Sequence, residues 1–171
     1  MNNGDGLRVV LWLSGCSHHC HNCQNPQTWN PGSGIPFDEL ARQEIFNELS
    51  NDYISGITFS GGDPLHENNL DEVLKLVQEI RNSYPDKSIW LYTGYQWNQI
   101  MLPIPTITDD LHTIEVTDKR KKIISNVNVL VDGEYIDEQK DLTLKWCGSK
   151  NQHVINVKQS LAQNKIILYC N

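Results

Sequence analysis

No stretch of the 171-residue chain comes near the ~18 consecutive apolar residues that a membrane-spanning helix needs. The amino-terminal residues are polar, and no apolar core of a signal peptide follows them. Basic residues are scarce. Fourteen Lys and Arg stand against 21 Asp and Glu, a net charge of −7, which leaves no basic surface for nucleic acid. A disulfide framework is also missing. Of five cysteines, Cys16, Cys20 and Cys23 crowd together while Cys147 and Cys170 stand far off. In a chain without export signals, clustered cysteines bind metal more often than they pair, so a cytoplasmic, reducing location is expected. There is no internal repeat and no low-complexity segment, and the length suits one domain with one core.

What is present is a polar loop, Gly15-Cys16-Ser17-His18-His19-Cys20-His21-Asn22-Cys23, directly after the apolar run Val9–Leu13. Three thiolates on one short loop can serve three irons of a cubane cluster. Proteins that only carry electrons usually give such a cluster four cysteines. With no fourth cysteine nearby, one iron keeps an open position, which suggests a substrate bound at the metal. A competing reading is zinc, with His18, His19 or His21 completing a Cys3His set. Under the cluster reading these histidines are solvated loop residues that shield it.

Apolar runs alternate with helical patterns along the chain. Leu7–Leu13, Ile54–Phe59, Ser88–Tyr92, Val127–Val131 and Lys165–Tyr169 read as strands. Ser14–Pro36 reads as a long functional loop, rich in Gly, Pro, Asn and Ser. Asp38 can cap a helix with Leu40, Ile45, Phe46 and Leu49 on its apolar face. Leu70, Val73, Leu74, Val77 and Ile80 recur at helical spacing until Pro85. Trp97–Leu102 reads as a short helix broken by Pro103 and Pro105. Residues 103–126 read as irregular, and the run Asp118-Lys119-Arg120-Lys121-Lys122 as a solvated face or, more sharply, a docking surface. Strands alternating with helices imply an α/β fold with a mostly parallel sheet. In such folds functional residues gather at the carboxyl ends of strands. The cysteine loop, Gly61-Gly62-Asp63-Pro64, Thr93-Gly94 and Asp132-Gly133 each follow a predicted strand, which points to one shared site.

The Cys-x3-Cys-x2-Cys spacing resembles the radical S-adenosylmethionine (SAM) superfamily. Further stretches appear in order: Asn3-Gly4-Asp5-Gly6-Leu7-Arg8, Asn25-Pro26-Gln27-Thr28-Trp29, Gly61-Gly62-Asp63-Pro64-Leu65, Ile89-Trp90-Leu91-Tyr92-Thr93-Gly94-Tyr95, Val129-Leu130-Val131-Asp132-Gly133 and Gly148-Ser149-Lys150-Asn151-Gln152. Together they resemble the activating proteins of anaerobic ribonucleoside-triphosphate reductases, over nearly the whole chain. That resemblance implies a partial (βα) barrel, open on one side, with residues 1–171 as a single radical SAM domain and 103–126 as an insertion.

It also implies the chemistry. A 4Fe-4S cluster on Cys16, Cys20 and Cys23 binds SAM at its fourth iron and cleaves it reductively to methionine and a 5′-deoxyadenosyl radical. The radical takes a hydrogen atom from a glycine of the reductase. Electrons come from a low-potential donor such as flavodoxin. Gly61, Gly62, Asp63 and Pro64 form the turn that holds the SAM ammonium, against the bland alternative of an ordinary turn. Thr93 and Asp132 line the SAM carboxylate or ribose side, or else serve turn and cap chemistry. Arg8 pairs with a carboxylate in the site, or forms a structural ion pair. Two positions depart from the resembled pattern. Cys147 stands where an Arg is usual, and Gln24 replaces an aromatic residue. Activation of another glycyl-radical enzyme, such as pyruvate formate-lyase, or a different radical SAM reaction, is the alternative within enzymes. A zinc-binding module is the alternative outside them.

Overall fold

The computed structural model describes residues 3–102 and 110–169. Five strands form one sheet in the order of the chain. They are β1 (Arg8–Leu13), β2 (Gly56–Gly61), β3 (Ser88–Tyr92), β4 (Val129–Asp132) and β5 (His153–Asn156). The first four pair in parallel and β5 runs antiparallel to β4. Parallel neighbours need crossovers, supplied by α1 (Glu39–Leu49), α2 (Leu70–Ser83), and α3 (Trp97–Met101) with α4 (Leu111–Asn126). A last helix, α5 (Val157–Gln163), follows β5.

Strand side chains alternate between the two faces of the sheet, and the two faces differ. Ile57, Phe59, Ile89, Leu91, Leu130 and Ile155 point into the helical layer, against residues such as Leu49, Val77, Ile80 and Ile123. Trp90, Val129, Val131 and Val154 occupy the other face with Tyr92 and Trp146. There the rings of Trp90, Trp146 and Tyr169 meet edge-on, with centroids 5.1 to 5.8 Å apart. Helices thus cover one face, while the other stays open toward the carboxyl ends of the strands. This is a partial, open (βα) barrel of mostly parallel strands.

The amino ends of the strands are tied by arginine. Arg8 donates to Thr58 Oγ1, to Ser88 Oγ and to the carbonyls of Asp5, Ile57 and Ser88, and lies over the Trp90 ring. Burial lowers its pKa to about 10. This corrects the expectation for Arg8. Its hydrogen-bond partners are carbonyls and hydroxyls at the far end of the sheet from the cysteine loop, not a carboxylate in the site. Arg81 similarly donates to the Asn126 carbonyl and Asn128 Oδ1, while Asn128 Oδ1 also accepts from Ile89 N.

Three element readings change. Residues 111–126 are a helix rather than an irregular stretch, capped by Asp110, whose carboxylate accepts from Thr113 N. Residues 103–109, with the helix-breaking Pro103 and Pro105, lie outside the described residues, as does Cys170. The last strand is His153–Asn156, and Lys165–Tyr169 runs beside it with a single bridge, Ile155 to Leu168. Leu40, expected on the apolar face of α1, is exposed, although Asp38 does cap that helix through Ala41 N. Among the described residues no helix is long and apolar enough to cross a membrane.

Candidate active site

The chain leaves β1 at Leu13 and is at once tied to the end of β2. Gly62 N donates to the Leu13 carbonyl and Asp63 N to the Gly15 carbonyl, both at 2.7 Å. The returning limb holds the loop base through Gly15 N to the Thr28 carbonyl and Cys16 N to the Trp29 carbonyl. This contact needs the two glycines. Gly61 has φ +102°, and a Cβ on Gly62 would lie 2.5 Å from the Gly15 carbonyl oxygen. The turn glycines therefore admit the cysteine loop as well as facing the cavity.

Cys16, Cys20 and Cys23 all line one cavity of about 390 Å3, together with Gly61, Gly62, Thr93 and Gly94. That volume is in the ordinary range for small-molecule sites, ~300–1,000 Å3. All three cysteines are partly buried and form no disulfide. Burial raises the Cys16 and Cys20 thiols above their usual range, and a bound metal offsets that cost by holding the thiolate. Asn25 N donates to Cys23 Sγ at 3.4 Å.

Two observations bear on what the cavity fits. Among the described residues no three His, Cys, Asp or Glu side chains are grouped to hold one metal ion. A cubane, by contrast, takes each thiolate on a different iron. Tyr92 lines the same cavity, and its hydroxyl is buried with no hydrogen-bond partner among the described residues; burial raises its pKa. An orphaned buried hydroxyl on a residue of the cavity wall is open to a polar partner. The donor set and the cavity thus suit a three-cysteine cluster with a polar molecule beside it.

Asp63 is 1% exposed and is the hub of the site. Its carboxylate accepts from Leu65 N, Thr93 Oγ1 and Gly94 N, and His18 Nε2 lies 2.9 Å away. Thr93 faces the cavity but spends its hydroxyl proton on Asp63. Asp132 does not reach the cavity. One of its oxygens accepts from Trp97 N at the start of α3, and the other faces His153. Pro64 is buried and also lies outside the cavity wall.

His18 differs from the solvated loop residue expected. Its side chain is 9% exposed and bridges Asp63 and Glu134, with Nδ1 2.9 Å from Glu134 Oε1. These carboxylates raise its pKa against an opposing effect of burial. The only available sequence signal was indirect: a buried acid in the Gly-Gly-Asp turn requires partners. Asn151 and Gln152 also gain a role. Asn151 Nδ2 donates to the Glu134 carbonyl and Gln152 Nε2 to the Gly133 carbonyl. Gln152 Oε1 accepts from Gly148 N and Ser149 N. They fold one cavity wall onto another. Cys147 and Gln24, the two departures from the resembled pattern, both line the cavity.

A three-cysteine loop set at the carboxyl ends of a mostly parallel open barrel defines a single-cluster iron–sulfur protein. In agreement, residues 2–155 match the 4Fe-4S single cluster domain family. The chain is 40% identical over 158 residues to the anaerobic ribonucleoside-triphosphate reductase-activating protein of Escherichia coli (strain K12), covering 91% of this chain and 92% of that one. It is 37% identical to that of Haemophilus influenzae, with the same coverage. It is also 37% identical to that of Enterobacteria phage T4, over 89% of this chain and 85% of that one. The chain belongs to the family of anaerobic ribonucleoside-triphosphate reductase-activating proteins, within the radical SAM superfamily.

Proposed function

We propose that this chain activates an anaerobic ribonucleoside-triphosphate reductase by generating its glycyl radical, with residues 1–171 acting as one radical SAM domain. The observation that carries the reading is the meeting of three thiols and a two-glycine turn around one cavity. Cys16, Cys20 and Cys23 hold the 4Fe-4S cluster. Bound together, the cluster and SAM supply reductive cleavage of SAM to methionine and a 5′-deoxyadenosyl radical, which takes a hydrogen atom from a glycine α carbon.

The chain's own residues do the rest. Gly61 and Gly62 present backbone to the SAM ammonium. Asp63 acts through the groups it orders, since its carboxylate is occupied by Leu65 N, Thr93, Gly94 N and His18. Thr93 stiffens the same turn. Asp132 sets the start of α3 from outside the cavity. The Trp90, Trp146 and Tyr169 rings pack together on the sheet face that the helices leave uncovered. The cavity opens to the side where no helix covers the sheet, and this suits a polypeptide loop. A glycine is a sensible target because flanking amides stabilise its α-carbon radical and no side chain blocks approach. The acidic chain works in a reducing cytoplasm without nucleic acid and draws electrons from a low-potential donor such as flavodoxin.

Mixing the protein anaerobically with the reductase, SAM and reductant is expected to give an electron paramagnetic resonance doublet on the reductase. Deuterium placed on the target glycine α carbon is expected in 5′-deoxyadenosine. A silent reductase beside an activated pyruvate formate-lyase would keep the chemistry and overturn the partner.

A further inference from the structure

Between Cys16 and Cys20 the backbone of His18 and His19 turns onto the Cys16 thiol. The loop's other backbone anchors lie at the base, at Gly15 and Cys16, and at the tight turn from Cys20 to Cys23. His19 adopts a left-handed conformation with φ 49°, stays exposed, and rests on the Trp29 ring. His18 is the inward-facing side chain of that stretch. Its ring packs edge-on against Tyr95 with centroids 4.6 Å apart. It also fills the space beside Gly94, where a Cβ would come within 2.4 Å of its Cδ2. Nε2 then meets Asp63, after β2, and Nδ1 meets Glu134, after β4. One imidazole therefore joins loops from three strand ends around the cavity.

We infer that His18 is a positioning residue for SAM, setting through Asp63 the separation between the cysteine loop and the Gly61-Gly62 turn. This rests on the reading that cluster and SAM share the cavity. The carboxylate that His18 contacts is the one that also accepts from Leu65 N and Gly94 N. A shift of the imidazole therefore moves the turn that holds the ligand. The cysteine thiols do not use the imidazole: Cys16 Sγ is held by the backbone of His18 and His19, Cys20 Sγ by that of Tyr135, and Cys23 Sγ accepts from Asn25 N.

The test compares the parent protein with H18A, H18Q and H18N, each reconstituted anaerobically. Iron and sulfide content, SAM affinity by equilibrium dialysis, and the change SAM makes to the reduced cluster's paramagnetic spectrum are measured. H18A is expected to hold the parent's iron and sulfide but to bind SAM about tenfold more weakly or worse, the scale of one lost charge-assisted hydrogen bond, with a diminished spectral change. Glutamine places an amide nitrogen near the Nε2 position and is expected to recover most of the affinity. Asparagine reaches only the Nδ1 position and is expected not to. Parent-like SAM binding by H18A, loss of iron in step with SAM, or equal rescue by asparagine would each overturn the inference. A parent protein that holds the cluster yet binds no SAM would overturn the site reading and this inference together. The reductase takes no part in the measurement, so a wrong partner leaves the result unaffected.

Discussion

Asp63 receives more hydrogen bonds than any other side chain in the site, yet it sits in a turn whose sequence suggests ligand binding by backbone. A buried carboxylate is tolerated only when its lone pairs are occupied, and here donors come from the turns after β2 and β3 and from the cysteine loop. Asp63→Asn replaces an acceptor oxygen with an amide group facing other donors. It is expected to cost about 2–4 kcal/mol, judged from unpaired buried groups, read as a lower urea midpoint at unchanged slope. Gly62→Ala makes a second residue-scale prediction. Its Cβ would meet backbone, the Gly15 carbonyl at 2.5 Å and the Thr28 carbonyl at 3.0 Å, neither of which can rotate away. Iron content and SAM binding are expected to fall together, because the base of the cysteine loop must move. Loss of SAM binding with full iron content would show that the glycine serves the ligand alone. The three cysteines were legible in the sequence because spacing carries their chemistry. His18 was not, because its partners stand 45 and 116 residues away and no local pattern marks them.

Among the elements, α4 shows why patterning can mislead. Its buried positions are Val116, Ile123 and Ile124, and the intervening inward positions hold Lys119 and Arg120. Their stems cover the core while their heads find partners. Lys119 pairs with Asp71 and Glu115. Arg120 donates to the Leu65 carbonyl and to the Tyr95 hydroxyl, with its guanidinium over the Tyr95 ring. A run of charges that reads as solvated or as a docking surface is thus partly an internal brace beside the turn after β2. Ile123→Ala is expected to lower stability by about 2–4 kcal/mol through the cavity it leaves, whereas exposed Lys122→Ala is expected to stay within about 0.5 kcal/mol. Chemical denaturation of both variants checks this. Equal effects would mean that α4 does not pack as described. The first four strands and α2 were legible because their apolar patterns are strong. β5 was missed because His153–Asn156 offers only Val154 and Ile155 as apolar signal, and its place depends on pairing with β4.

At the scale of the molecule, the sheet has a structural end and a functional end. The amino ends of the strands are closed by Arg8, by Arg81 with Asn128, and by Lys87, which donates to the carbonyls of Asn51 and Ile54. All of these bonds lie within the chain and require no ligand. The carboxyl ends are different. There the loops after β1, β2, β3 and β4 meet around a cavity through side chains such as His18, Asp63 and Gln152, and among the described residues the Tyr92 hydroxyl lacks a partner. A ligand that binds only the folded form stabilises the elements it touches, and local opening is easiest where buried contacts are few. Removing cluster and SAM is therefore expected to act on one end of the sheet. Hydrogen exchange on protein with and without the reconstituted cluster and SAM is expected to show lost protection in residues 14–30, 61–66, 93–96, 133–135 and 147–152. Residues 54–57, 88–90 and 126–130 are expected to keep theirs. Uniform loss across both ends would mean that the cluster is needed to fold the sheet itself. The arginine-tied end would then be a consequence of metal binding rather than the scaffold that receives it.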